Sequence, residues 1–491
     1  SMRLASPPAV WPQDKPDPAG LCHACHRALG DTIFCGMVAM RRRPRRNVPP
    51  MIESLGNAGV RFSFFSEFDE HVAKAFGDEL GVETDWNCCI SLSDQRGDIN
   101  PRLPAGINAI VDHLQSADDV PLRVPILYHS TPDSIRDMVK LYQDAGEVVL
   151  VIGSGQNWDN SVVFQQADVA IAVDPEPKVR CLLRHNQRPA PEGSLGAMEA
   201  MVSMQLNTLS CTLTLKRSTD LSQIIAFIGE GRRLLANGRQ TLGLALTGCS
   251  LLILTTLMGN IALLPAPMTG IQMLWVMLFV IPSLSLPLLA TDAVGDTMQE
   301  MPYRATNHMA EVSRLVVYGL IRIVPTASML ILIGLLSLSQ VFSDEKGVWN
   351  ILFRLVSNER VPPDFDDLVQ AVQTVQQFFF VYFFLAHSIS FSHRTAPLTV
   401  LSPVKNRLWV VSASVVFVMQ IVWTVSALSV HKHLDLSQLL PWYVVALGLM
   451  FPVAIIAINE ACKALDDKRV RHVQRFIKLQ FDTKLGQTSP K

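Results

Sequence analysis

At 491 residues the chain is long enough for more than one domain, and 49% of it is hydrophobic, with a mean hydropathy of +0.26, high for a wholly soluble protein. Forty-two Lys and Arg stand against 43 Asp and Glu, a formal net charge of −1 at pH 7, which gives no case for nucleic-acid binding. The nine Cys are scattered, form no disulfide framework and fit a reducing cytosolic face; the Pro-rich N-terminus has no apolar signal core, so insertion rests on internal spans.

Residues 1–20 are Pro- and Ala-rich and read as disordered or as a broken edge. Cys22, Cys25 and His26 have ligand-like spacing, with Cys35 the nearby further candidate. A zinc site needs a second ligand pair, so reduced loop cysteines are the favoured reading. Residues 32–40 suit a short strand, and the basic run 41–46 suits a solvated loop or a contact with phosphate or lipid headgroups. A helix over 49–59, a strand over 60–65 and a helix over 71–80 ending at Gly81 follow. Residues 84–125 read as a polar insertion, 124–128 as a strand and 132–145 as a helix stopped by Gly146. Residues 148–173 then give strand, Gly-Ser-Gly turn, short helix and strand, a Rossmann-like unit whose turn amides suit a phosphate or metal-bound anion. Alternating strands and helices imply a parallel sheet covered on both faces.

Residues 174–196 read as a loop and 198–239 as helical, closing on Arg232, Arg233 and Arg239. Six apolar stretches of about 20 residues follow, at 241–264, 270–290, 315–341, 375–391, 408–430 and 439–458, the length a bilayer core requires. The fourth is short and rich in Phe. Basic residues flank the first span, the loop between the fourth and fifth, and the tail, whereas the loop between the third and fourth is acidic. That bias places head and tail in the cytosol. The expected organisation is an edge segment over 1–31, an α/β head over 32–196, a helical stalk over 197–240, an α-helical multi-pass membrane domain over 241–460 and a basic tail over 461–491.

Several ordered stretches resemble the second half of a P-type ATPase. Phe34-Cys35-Gly36-Met37-Val38 with Arg43-Pro44-Arg45, Ala58-Gly59-Val60-Arg61, Gly153-Ser154-Gly155-Gln156-Asn157-Trp158, Ala167-Asp168-Val169-Ala170-Ile171-Ala172, Glu230-Gly231-Arg232 and Ile271-Gln272-Met273-Leu274-Trp275-Val276 match family signatures in order. The resemblance is nearest to a divergent member to which magnesium uptake into the endoplasmic reticulum is attributed. It implies an incomplete haloacid-dehalogenase-type head on about six spans, with ATP and Mg²⁺ as family cofactors, the lipid bilayer as surroundings, and an N-terminal part or partner protein carrying the phosphorylated Asp. The family's Asp-Lys-Thr-Gly is absent here, and Asp14-Lys15-Pro16-Asp17 is a poor substitute.

The resemblance assigns a degenerate phosphate and metal loop to Ser66, Arg136, Gly153, Ser154, Gly155, Asn157 and Asp159, with Ser154 and Trp158 at the places of two metal-binding carboxylates. Phosphoryl transfer needs a nucleophile, Mg²⁺ and a cation on the equatorial oxygens, so this chain alone is not expected to hydrolyse ATP. In the spans the family's cation ligands fall on Cys249, Leu252, Met277, Val280 and Ile281, none of which has a side-chain oxygen. Thr247, Cys249, Ser250, Asn260, Ser283, Ser285 and Asp292 remain as transport-path candidates, alongside a packing role for span Ser and Thr. Pro282 and Pro287 are expected to unwind the second span and free carbonyls, and Arg322 and His387 are ionisable groups inside spans. The competing reading is a catalytically inactive, pump-like scaffold or regulatory partner.

Overall fold

A computed structural model describes residues 44–45, 47–84, 88–94, 103–155, 157–173, 206, 210–215, 221–262, 264–292, 297–302, 308–341, 365–400, 402–430 and 441–482. The Cys22, Cys25, His26 and Cys35 group, the 32–40 strand, most of the 41–46 basic run, the 174–196 loop and most of the loop between the third and fourth spans lie outside the described residues.

The head opens with α1 (Val48–Asn57), started by Pro49 and Pro50, where a missing N–H costs nothing. It is followed by β1 (Phe64–Phe65) and by α2 (Glu70–Leu80), which Gly81 ends in the left-handed conformation at φ +74°. Next come β2 (Cys89–Ser91), α3 (Ile107–Ser116), β3 (Ile126–Tyr128) and α4 (Pro132–Asp144), whose start is fixed by a Thr131–Ser134 capping box. The Gly-rich unit is β4 (Leu150–Ser154), α5 (Asn160–Gln166) and β5 (Val169–Val173), and β6 (Leu213–Leu215) follows.

The strands form two parallel three-stranded sheets, ordered β1-β3-β2 and β4-β5-β6. Phe64 and Cys89 both pair with Ile126 in the first, and Ile171 pairs with Leu213 in the second. This departs from the sequence reading in three ways. The 84–125 stretch contains β2 and α3, and the stretch read as helical over 198–239 contains β6; each strand is too short to impose a period of two on the sequence. Among the described residues one face of β4 lacks the expected cover: Leu150 and Ile152 are 37% exposed, and Val148 just before the strand is 82% exposed. The head has separate small cores, one of Ile90, Ile110, Leu127 and Met138 and another of Phe164, Ala170 and Ala172. A Gln143–Gln166 amide pair at 2.7 Å joins α4 to α5.

Among the described residues six helices are long and apolar enough to cross a membrane. Stalk and first span are one unbroken helix, α6 (Gln223–Ile261). The second span is irregular: α7 (Gly270–Trp275), a π-helical turn over Val276–Val280, α8 (Ile281–Ser285) and a 3₁₀ stretch over Leu286–Ala290. The remaining four are α9 (His308–Val341), α10 (Phe365–Ser390), α11 (Arg407–Val430) and α12 (Trp442–Asp482), the last running from the sixth span into the basic tail.

The fourth span starts nine residues earlier than the sequence suggested, at Asp366. It is the least apolar of the six and yet the central one: 72% of its most apolar stretch is buried, against 22–44% for the others. Gln373, Gln376 and Gln377 depress its hydropathy, and all three are buried inside the bundle. Around it runs one continuous core that includes Leu251, Val280, Ile281, Leu330, Phe380 and Phe384.

Head and bundle meet through backbone contacts. Gly59 sits at φ +70° where a Cβ would collide with Met301 and Pro302. Arg232 of α6 donates to the carbonyls of Ala58 and Glu300, both at 2.9 Å, and Gln474 of α12 brackets Met301 with bonds of 2.8 and 3.0 Å. The Arg61 guanidinium lies 5.3 Å over the Phe481 ring.

Candidate functional site

The head's candidate loop is the turn between β4 and α5. The backbone at Gly153 is closely approached, since a Cβ would stand 3.1 Å from the Asn160 and Phe164 side chains, and the Gly155 amide closes onto the Val173 carbonyl at 3.0 Å. Asn160 Nδ2 donates to the Ser154 carbonyl at 2.8 Å, while Asn157 Oδ1 accepts the Asp159 amide at 3.2 Å. The turn therefore holds itself together. Gly153, Ser154, Gly155, Asn157 and Asp159 share it, and Trp158 is 54% exposed beside them.

Ser66 stands after β1 on the other sheet, buried, with its Oγ accepting the Phe68 amide at 3.2 Å. Arg136 lies on α4 with its guanidinium 3.2 Å from Asp133 and 3.0 Å from Asp137, so its charge is matched within its own helix. Asp159 is the sole carboxylate of the 153–159 turn. Among the described residues no group of three His, Cys, Asp or Glu side chains is placed to hold a metal. Mg²⁺ favours carboxylate oxygens in octahedral array, and this turn does not offer them.

Beside β2, burial and the neighbouring Cys88 push the Cys89 thiol up to about 12, which makes it a poor nucleophile. The Lys74 ammonium is raised by its hydrogen bond to Glu70. In the loop after the fourth span, burial and the nearby Lys463 hold His393 below its usual value. Its Nδ1 accepts the Thr395 and Ala396 amides at 3.3 and 3.0 Å, a role only the unprotonated ring nitrogen can fill.

In the bundle, the transport-path candidates are dispersed. Thr247 and Ser285 are buried, but their hydroxyls bond back to the Gly243 and Ile281 carbonyls at 2.7 and 2.8 Å. Ser250 and Asn260 are on the outer face of α6, Cys249 is half-buried against the apolar core, and Asp292 is exposed in a cleft with Thr291, Lys405 and Asn406. A Cβ at Gly248 would come within 2.9 Å of Ile281 and Phe384, so the centre between the first, second and fourth spans is closed by apolar packing.

The second span is not unwound at Pro282 and Pro287 as expected: it stays helical from Gly270 to Ala290, passing through the π-helical turn and the 3₁₀ stretch, and several of its carbonyls have side-chain partners. Ser412 donates to the Ser283 carbonyl, Asn406 to Pro287 at 2.7 Å, and Asn237 to Leu289 and Thr291 at 3.1 and 2.7 Å. Arg233 adds a second bond to Thr291 at 2.7 Å. The sequence reading missed Asn406 and Ser412 in this role. Their signal was a polar residue just before, and another just inside, the fifth apolar stretch.

Of the ionisable span residues, His387 is fully buried between the third, fourth and sixth spans. Asn459 Nδ2 donates to its Nδ1 at 3.1 Å, its Nε2 lies 3.0 Å from Thr326 Oγ1, and that hydroxyl donates on to the Arg322 carbonyl at 3.1 Å. The Arg322 guanidinium lies 5.0 Å over the Phe391 ring.

Comparison with known proteins agrees with this layout. Residues 265–465 match the family described as "Cation transporting ATPase, C-terminus". The chain is similar to "Transmembrane protein 94" of Mus musculus and of Homo sapiens, with 31% identity over 95% of this chain in each case. It spans 40% of the length of those relatives. A weaker likeness, 22% identity over 50% of this chain and 22% of the relative, is to "Calcium-transporting ATPase type 2C member 2" of Mus musculus.

Proposed function

We infer that this chain, which is P-type ATPase-like, is the membrane-embedded carboxyl-terminal part of a divergent cation transporter. The observation that carries the inference is structural continuity. Six spans, the second irregular with a π-helical turn and a 3₁₀ end, are joined to the α/β head by the unbroken helix α6, and Arg232 of that helix bonds to Ala58 in the head. A helix held at both ends can pass a head movement to the membrane.

The head is proposed as a haloacid-dehalogenase-type sheet to which an upstream part adds the strand carrying the phosphorylated Asp. Among the described residues β1 and β4 each have a free edge, one on each sheet. In that assembly Ser66, Ser154, Gly155 and Asn157 would face the phosphoryl group, ATP would be the donor, and Mg²⁺ would need carboxylates from the upstream part. Mg²⁺ movement across the endoplasmic reticulum membrane, with head and tail in the cytosol, is our proposal from the resemblance set out above; calcium, named for the weaker relative, is the alternative cargo. Uptake of ²⁸Mg²⁺ and ⁴⁵Ca²⁺ into sealed vesicles carrying the full-length protein with its head outward, with ATP supplied outside, tests this. ATP-dependent uptake of either ion supports the transporter, and uptake of neither overturns it.

One observation favours a second reading, an inactive pump-like scaffold. The centre of the bundle is sealed by Gly248, Ile281 and Phe384, and Asn237, Asn406 and Ser412 occupy carbonyls in and just after the second span. A scaffold would show no uptake while still binding its partners.

A further inference from the structure

The head carries two consecutive thiols that the proposed function leaves unused. Strand β2 opens at Cys89, and Cys88 stands immediately before it. Successive side chains of an extended strand point to opposite faces, which carries consecutive sulfurs apart. Here the Cys88 and Cys89 sulfurs are 3.7 Å from each other, and neither is in a disulfide. The backbone around them is pinned: the Cys88 carbonyl accepts the Ile126 amide at 3.1 Å, and Cys89 pairs with Ile126 in the ladder. Cys88 is 6% exposed, whereas Cys89 is half-buried and gives the approach.

Physical chemistry narrows what such a pair can hold. Consecutive Cα atoms are about 3.8 Å apart, short of the roughly 4.4–6.8 Å that disulfides span, so direct oxidation is strained. A single bridging atom needs no such contraction: a tetrahedral zinc ion with bonds of about 2.3 Å holds its sulfurs about 3.8 Å apart. Zinc itself is a poor occupant, because among the described residues no third His, Cys, Asp or Glu joins the pair. A cation also needs both thiols ionised, and burial together with the neighbouring sulfur opposes that at Cys89. A neutral centre that condenses with S–H groups bears no such cost.

We propose that Cys88 and Cys89 form a chelating site for neutral trivalent arsenicals, entered at Cys89 and closed by Cys88. In the condensation two S–H bonds and the As=O bond break, two As–S bonds form, and the oxide oxygen leaves as water with both protons. Arsenic stays trivalent, so no oxidant or reductant takes part. The pair belongs to the sheet that does not contain the 153–159 turn, and the site does not depend on the transporter reading.

The test treats full-length protein in membranes with phenylarsine oxide and maps the tryptic peptide 75–96, which holds these two cysteines and no other. One arsenical per peptide is expected, with both thiols closed to a maleimide. No adduct on this peptide, with other cysteines modified, overturns the site. Cys88→Ser and Cys89→Ser should each lower occupancy at least tenfold; undiminished occupancy in either overturns the chelation. The unsubstituted protein supplies a check that no folding defect can disturb: excess 2-mercaptoethanol should leave the arsenical in place while 1,2-ethanedithiol removes it. Removal by the monothiol contradicts a two-sulfur bridge. Occupancy should be equal at about pH 6.5 and pH 8.5, since neutral condensation releases no proton to solvent; a tenfold rise with pH overturns the neutral ligand.

Discussion

Head and membrane bundle solve the same packing problem differently. The described part of the head divides its apolar residues among small cores around two three-stranded sheets, with Leu150 and Ile152 of β4 and the preceding Val148 on its surface. The bundle buries a single continuous core around the fourth span. Small cores bury less apolar area per residue and leave a domain near the margin of stability. The head is therefore expected to depend on its docking onto α6, α12 and the 297–302 segment, while the bundle stands on its own packing.

Substitutions on each side sharpen that contrast. The largest effect is expected from Phe384→Ala in the bundle core, about 3–5 kcal/mol for a fully buried phenyl, read as a fall in melting temperature with the head's proteolysis pattern unchanged. Gly59→Val comes next, at about 1–2 kcal/mol for a left-handed backbone and about 1–3 kcal/mol for overpacking against Met301 and Pro302. Its signature is the reverse: faster proteolysis of the head at constant bundle melting. If both variants melt head and bundle together, the two regions form one cooperative unit and the contrast fails.

Asn237→Leu removes both side-chain donors to the Leu289 and Thr291 carbonyls and should cost about 1–3 kcal/mol, with faster amide exchange over residues 286–292. Unchanged exchange would mean that Arg233 and Asn406 hold the end of the second span without it. A pH effect is expected at His393, whose folded value lies below the usual 6.5. As pH falls below about 6.5 the unfolded loop takes up a proton that the folded ring resists, so the loop loses stability toward acid and keeps it above that value. Hydrogen exchange at Thr395 and Ala396, corrected for intrinsic rates, should rise from pH 7.5 to 5.5 and do so less in His393→Gln. The smallest effect is Arg136→Ala, within about 0.5 kcal/mol, because its ion pairs are exposed.

Legibility in the sequence followed element length and contact range. The β4–α5–β5 unit was readable because its glycines and two five-residue strands carry local signals, and five of the spans because apolar runs of bilayer length are hard to mistake. Strands β2 and β6 have three residues each and sit in polar surroundings, so no period emerged. The fourth span was placed late because its inward-facing glutamines lower hydropathy at the positions that matter most. At the candidate site the glycines of the turn were legible. The engagement of Arg136 by Asp133 and Asp137, the Gly59–Met301 contact and the carbonyl partners in the second span were not, since they depend on rotamers or on residues far apart in sequence.

The proposed function turns on one point, that the head is a phosphoryl-transfer scaffold whose acceptor group an upstream part of the protein supplies. Acid-stable labelling of the full-length protein with [γ-³²P]ATP, followed by peptide mapping, tests it most directly. The account predicts a label that is stable in acid, lost in alkali and confined to a peptide upstream of this chain, unaffected in position by Asp159→Asn. A label on a peptide within residues 44–482, or no label in the presence of either Mg²⁺ or Ca²⁺, would contradict it.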